Sequence, residues 1–350
     1  MKRRVFLKTL GSAAGACAFG VSPWITQAAS VKRPTDTVPR RVLGRTGERL
    51  SIVGFPGLAL VRYEQAECNA ALQDAFERGV NHFDVAPAYG RGDAEIKMGI
   101  GLQHVPRDRI FLSCKTKMRD RDGARKELER SLQRLKTDHF DLYQLHALRR
   151  PEEVQQALGP GGAMETILKA RDEGKVRFIG FSAHTTKAAV EALNHFQFDT
   201  VMFPINFVEY FRLGYGKEVL KRAAEKGAAV LAIKPISLGA WPRGMKRNRH
   251  WWYRSAETQP DIDLAFRFAL SQKGVVVGIP TSFFDLFDKT VTAAQRFQPI
   301  TPTERAQLEK RAQTLLSLFK REEERVAWAN PPYAPIYPDS PHECLQAWRV

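Results

Sequence analysis

Residues 81–95 read NHFDVAPAYGRGDAE. A short apolar run ends in a carboxylate, Asp84, and Tyr89 follows in a turn-rich loop. The same layout recurs downstream: Lys115 closes the run that begins Arg109-IFLSC, and His146 closes Phe140-DLYQL. Asp84, Lys115 and His146 are each 31 residues apart (115 − 84 and 146 − 115). About 30 residues is the length of one strand plus its crossover helix. A polar residue at the carboxyl end of successive parallel strands is how a barrel or an open α/β sheet assembles a site. Any one of these residues could simply cap its own strand; three in step point to a shared site.

The pattern extends in both directions. Short apolar runs fall near 51–55, 81–84, 109–114, 140–145, 176–181, 199–205, 229–234 and 274–279, with amphipathic stretches such as Arg125-KELERSLQRL between them. Eight strands, each followed by a helix and with no second composition regime, predict a single (β/α)8 barrel spanning 39–326. Ahead of the first strand, Arg41-VLGRTGERLS has Gly-containing turn chemistry between two β-prone runs and predicts a small hairpin. The Pro-rich segment 327–350 reads as an extended tail over a barrel face.

The first 29 residues read as a processing segment, followed by a linker over 30–38. Lys2-RRVFLK carries Arg3 and Arg4, an apolar stretch from Thr9 to Ile25 follows, and small residues at Ala28, Ala29 and Ser30 end it. That order marks a secretory signal, and the arginine pair with Phe6-Leu-Lys marks the twin-arginine kind, with cleavage after Ala28 or Ala29. Export to the periplasm, with the twin-arginine translocase as partner, is the resulting expectation. A lipid anchor on Cys17 is disfavoured, because no Leu precedes it at the usual place. Beyond this segment no run of eighteen apolar residues occurs, so no membrane span is expected after processing.

Composition narrows the chemistry. Removing four positive charges with the signal lowers the formal charge from +16 to about +12. A basic surface suits nucleic acid, anionic lipid or a phosphorylated ligand, but the charge is spread along the chain and no nucleic-acid module is evident. One cluster stands apart, Trp241-PRGMKRNRHWWYR, which mixes cations with four aromatics. Cys68, Cys114 and Cys344 form no CxxC pair, and an odd number argues against a disulfide framework. The eight histidines show neither HxH nor HExxH spacing, so no metal site is expected.

The residues also carry a resemblance. Asp84-VAPAYGRGDAE, Lys115, Leu132-QRLKTDHFDLYQLH, the turn Leu43-GRTG and Glu173-GKVRFIGFS resemble the aldo-keto reductases, in order and in spacing, from about Arg40 to about Phe297. The resemblance implies an NAD(P)H-dependent oxidoreductase that reduces an aldehyde or ketone to an alcohol, or runs the reverse, with Asp84, Tyr89, Lys115 and His146 as its catalytic tetrad. The residue types suit that chemistry. Making an alcohol from a carbonyl needs a proton donor within hydrogen-bond reach. A free tyrosine titrates near ~10, and a neighbouring ammonium lowers that value. Lys115 is therefore expected to tune Tyr89, Asp84 to hold Lys115 charged, and His146 to orient the carbonyl.

For the cofactor, NADP with NAD as the alternative, the resemblance implies Ser182, Asn206, Lys234, Gly278, Thr281 and Ser282. Several of these depart from the family pattern. Ala183 replaces the usual Asn, with His184 either standing in for it or capping the next helix. Ile233-Lys-Pro replaces a common Tyr-Ser-Pro, so the aromatic that stacks on the nicotinamide is missing around Lys234. Gly278-IPTS resembles a phosphate loop at a helix start, yet Phe283 and Phe284 stand where a cation is usual. The basic insertion, with Arg243, Lys246, Arg247 and Arg249, is the expected substitute. Two further readings remain: an exported ligand-binding barrel without turnover, and a partner subunit of an exported redox complex.

Overall fold

The computed structural model describes residues 37–326. The twin-arginine segment, most of the linker and the Pro-rich tail lie outside the described residues. Within them the chain opens with a hairpin, β1 (Arg40–Val42) against β2 (Arg49–Ser51), paired antiparallel. Gly47, at φ 79°, supplies the left-handed turn residue that joins the two strands. Then come β3 (Phe55–Pro56), α1 (Gln65–Glu77), β4 (His82–Asp84), α2 (Asp93–Gly101), β5 (Phe111–Thr116), α3 (Arg121–Leu135) and β6 (Phe140–Leu148). The second half runs α4 (Pro151–Leu158), α5 (Ala163–Asp172), β7 (Val176–Ala183), α6 (Thr186–His195), β8 (Thr200–Pro204), α7 (Phe207–Leu213), α8 (Lys217–Lys226) and β9 (Ala229–Ile233). It ends with α9 (Gln259–Leu270), β10 (Val275–Ile279), α10 (Phe284–Gln295), α11 (Pro302–Ala312) and α12 (Lys320–Val326).

Strands β3 to β10 pair in parallel, each with its neighbour in sequence. The ring closes between its ends: Gly278 N–H donates to Ile52 O at 2.8 Å and Gly54 N–H to Gly278 O at 3.1 Å. This is the (β/α)8 barrel the strand spacing predicts. The first strand differs from expectation. Residues 49–51 belong to the hairpin, and only Phe55–Pro56 pairs with β4. Gly54 lies in the gap, where a side chain would sit 2.6 Å from His82 Nδ1.

Local sequence accounts for the helices. In α3, Ala124, Leu128, Leu132 and Leu135 recur at four- and three-residue spacing and form its buried face. Asp120 caps the helix by accepting from Gly123 N–H at 2.7 Å, and Lys136 leaves it at φ 53°. Two apolar clusters follow from the strand alternation. One fills the space between strands and helices; the other, with Leu142, Met202 and Leu231, fills the barrel interior. Leu43 and Leu50 of the hairpin join the interior cluster, so the hairpin plugs the amino-terminal mouth. Arg41 fastens it there through Leu270 O and Val275 O, both at 2.7 Å. The opposite mouth is left for a site.

Candidate active site

Strand ends bring the four polar residues together at the carboxyl-terminal mouth. Asp84 ends β4, Lys115 lies near the end of β5, His146 near the end of β6, and Tyr89 stands on the loop after β4. Lys115 is fully buried, and its Nζ donates to both Asp84 oxygens at 2.6 Å and to Val85 O at 3.1 Å. Burial works against the ammonium, but Asp84 and Tyr89 together hold its pKa above the ordinary lysine value. The ammonium hydrogen-bonds the Tyr89 phenol and lies 5.3 Å from the ring centre. His146 meets that ring edge-on, with centroids 5.7 Å apart and planes at 86°.

The expected tuning of Tyr89 takes a different balance. Burial raises the phenol and Lys115 opposes it, and burial prevails: the group is pushed up to about 12. Tyr89 thus holds its proton at neutral pH. It is an acid waiting for a strong base.

A bulge in the backbone aims His146. Pairing between β6 and β7 shifts register between Leu145 and Leu148, and Ala147 sits at φ 56°. Left-handed backbone is unfavourable for a residue with a Cβ and persists where its surroundings impose it. Here Ser182 Oγ accepts from Ala147 N–H at 2.7 Å, and Arg119 Nη2 donates to His146 O at 2.8 Å. Four described non-glycine residues adopt positive φ, and three of them, Arg91, Ala147 and Lys234, lie at or just beyond strand ends of this mouth.

The cleft wall gathers Asp84, Tyr89, His146, Ser182, His184, Lys234 and Ser282. Met202, Ile233 and Ile279 supply its apolar part. Lys234 is 7% exposed, and burial pushes its amine down to about 7 against the pull of Glu322. His184 does not cap the next helix: Thr185 does so by accepting from Ala188 N–H at 3.3 Å, while His184 faces Lys234 at 3.4 Å.

Other predicted residues take different places. Asn206 is buried outside the wall and caps α7, accepting from Glu209 N–H at 3.1 Å. Gly278 spends its backbone on ring closure, and a side chain there would strike Phe266 of α9 at 2.5 Å. Thr281 is buried in contact with Ser255 at 2.7 Å and Tyr253 at 3.2 Å, next to Ser282 in the wall. Arg243 and Arg247 are exposed and contribute nothing to the wall. The cation of the insertion that reaches the phosphate-type loop is Arg249. It lies 4.9 Å from the Phe283 ring centre and pairs with Asp285 and Glu257. What the insertion does put into the wall is aromatic: Trp251, Trp252 and Tyr253. The sequence held that signal, three adjacent aromatics, but the cations beside them drew the reading. Phe319, just before α12, was not anticipated either; it stacks near His184 with centroids 5.9 Å apart.

Chemically, the arrangement offers one protonated phenol, one charged lysine that can support the phenolate left behind, and an imidazole beside them. Among the described residues no group of three or more His, Cys, Asp or Glu side chains could hold a metal ion.

Comparison with known proteins agrees with this architecture. The model of the "Aldo/keto reductase family" matches residues 53–304. L-galactose dehydrogenase of Arabidopsis thaliana is 27% identical over 216 residues, covering 57% of this chain and 66% of that protein. The 6-dehydroglucose reductase of Novosphingobium aromaticivorans is 33% identical over 176 residues, covering 45% of this chain and 55% of that protein. The chain therefore spans between 55% and 66% of these two relatives' own length. Among solved structures, an aldo-keto reductase of Bacillus halodurans in its holo form superposes with a TM-score of 0.65 at 22% identity, covering 81% of this chain and 99% of that one. An aldo-keto reductase of Klebsiella pneumoniae in complex with NADPH gives a TM-score of 0.60 at 20% identity, covering 78% and 95%. At these identities the structural likeness speaks for the fold.

Proposed function

The chain belongs to the aldo/keto reductase family, and we propose that it is an oxidoreductase interconverting a small carbonyl compound and its alcohol with NADPH, NADH being the alternative. One observation carries this reading: a buried phenol, hydrogen-bonded to a lysine that a carboxylate holds at 2.6 Å, sits beside an imidazole in a single cleft.

The residues present fit a nicotinamide nucleotide. Met202, Ile233 and Ile279 form an apolar wall, and the Ser182 and Ser282 hydroxyls lie in the same cleft. Phe283, the residue that opens α10, offers no capping side chain; the Tyr63 hydroxyl takes the Phe284 N–H at 3.2 Å, and the N–H groups of Asp285 and Leu286 would face an anion. Ser182 and Ser282 would hold the cofactor, with Trp251, Trp252 and Tyr253 supplying the aromatic surface absent at Ile233 and Lys234. When bound, the nicotinamide supplies or receives the hydride.

The chain supplies the proton. Tyr89 holds it at neutral pH and gives it to the substrate oxygen. Lys115, kept charged by Asp84, stabilises the tyrosinate that results. His146, fixed by the Ala147 bulge, orients that oxygen. The first test is turnover of an aldehyde and ketone panel by purified protein with either nicotinamide. Cofactor binding with no turnover of any substrate would leave a ligand-binding barrel instead.

The arginine pair, the apolar stretch and the small residues of the first 29 positions support export by the twin-arginine route. Replacing Arg3 and Arg4 with Lys is expected to hold precursor in the cytoplasm. Normal processing of that variant would refute this route.

A further inference from the structure

Lys234 has no part in the proton transfer, yet it stands in the same cleft wall as Tyr89 and His146. Its backbone is left-handed, at φ 56°, and its side chain is buried. The ammonium lies 5.4 Å from the ring centre of Trp252 and 5.6 Å from that of Phe319, with His184 Nε2 at 3.4 Å. Among the described residues no carboxylate forms an ion pair with it. The carboxylate that acts on it electrostatically, Glu322, is already held by Arg149 at 3.1 Å.

Aromatic faces attract a cation without neutralising it. Burying an uncompensated ammonium is costly, and the strained backbone adds to that cost. An amine buried under those terms, in the wall of a cleft, gains its missing counter-charge from an anionic ligand. Cofactor phosphates would have a separate place, the start of α10, where Arg62 and Arg249 lie 4.5 and 4.9 Å from the Phe283 ring centre. The anion left for Lys234 is one that enters with the substrate.

We propose that Lys234 and His184 form a subsite for a carboxylate on the substrate, so that the preferred substrates are oxo acids, aldehydes or ketones that also carry a carboxylate. One carboxylate oxygen would take the lysine ammonium and the other the imidazole. The proposal rests on the carbonyl-reducing reading above, and its test separates the two.

Benzoate and benzamide have nearly the same shape and differ in charge. Their binding can be followed by quenching of tryptophan fluorescence, since Trp252 flanks the ammonium. The wild type is expected to bind benzoate about ten- to a hundredfold more tightly, the range one hydrogen bond to a charged group provides. Lys234→Met should abolish that ratio and Lys234→Arg should keep part of it. In turnover, the preference for 4-carboxybenzaldehyde over 4-formylbenzamide should follow the same series and appear in KM rather than kcat. Equal binding of benzoate and benzamide by the wild type would overturn the subsite. So would a benzoate preference that survives Lys234→Met, or a loss in that variant confined to NADPH affinity, which would assign the lysine to the cofactor. If neither aldehyde is reduced, carbonyl reduction fails while benzoate binding still decides the subsite.

Discussion

The two mouths of the barrel use the same residue types to opposite ends. At the amino-terminal mouth the polar groups mostly tie strands and hairpin together. Asp141 accepts from Arg107 at 2.8 Å, Arg177 at 2.6 Å and Leu112 N–H at 2.8 Å. Asn81 takes Ser51 N–H at 2.7 Å and gives to Arg49 O at 2.9 Å, binding the hairpin to the barrel. His82, pushed down to about 3 by burial, stays neutral against Ser113 at 2.8 Å. At the carboxyl-terminal mouth the backbone is left-handed at Arg91, Ala147 and Lys234, Tyr89 is held protonated, and Lys234 has no carboxylate. One end spends its polar residues on closure; the other keeps them reactive, at a cost in stability.

The largest effect should come from the reactive end. Tyr89→Phe removes the proton donor and keeps the ring, so kcat should fall by about 10²–10⁴-fold with little change in cofactor affinity. Near-normal turnover would strip Tyr89 of its role and leave the mouth without an acid.

The closing end should answer in the reverse sense. Asp141→Ala orphans the Leu112 N–H and frees two arginines that still reach solvent. Folding stability should drop by about 2–4 kcal/mol, measured by denaturant unfolding. The kcat of the folded fraction should stay near wild type. A matching loss of kcat would mean the two mouths are coupled, and the contrast between them would fail.

Lys234 allows the stability cost of the reactive end to be measured. The unfolded chain holds a proton on this amine up to its ordinary 10.5, the folded chain only below about 7. Wild-type stability should therefore decline as pH falls from about 10 to about 7 and level off below, because folding must strip the proton from this amine in that window or bury it charged below it. Lys234→Met removes that decline and should be more stable at neutral pH by roughly 2–4 kcal/mol, part of the full linkage being offset by imperfect repacking. Parallel stability–pH curves for the two proteins would show that the amine is solvated.

The same contrast explains what could be read from the sequence. The barrel was legible because its strands are buried, short and evenly spaced, and the four residues from Asp84 to His146 because each stands at or just beyond a strand end. Ring closure was harder to see: residues 49–56 serve the hairpin, the closing contact with Gly278 and β3 in turn, and strand patterning cannot separate those duties. Nor could spacing show that Gly278 makes room for Phe266, that Asn206 caps its own helix, or that Phe319 returns from late in the chain to Lys234. Those contacts join segments remote in sequence. In the insertion, charge was the wrong guide, since Arg243 and Arg247 stay outside the cleft wall and the neighbouring tryptophans carry the buried surface.

The smallest effect is expected at the exposed tip of that insertion. Arg243 and Lys246 are exposed and line no part of the cleft, whereas Arg249 packs on Phe283 and pairs with Asp285 at the start of α10. Exposed charges outside a contact contribute little, because water and salt screen them. Changing Arg243 and Lys246 together to Gln should alter the NADPH and NADH dissociation constants by less than about threefold, or ~0.6 kcal/mol. Fluorescence titration at low and at physiological salt would detect a larger change. A tenfold loss confined to NADPH would mean that the tip folds onto the 2′-phosphate when the cofactor enters. The reactive mouth would then extend to the loop that the static structure leaves in solvent, and the aromatic trio would be its hinge side rather than its only contribution.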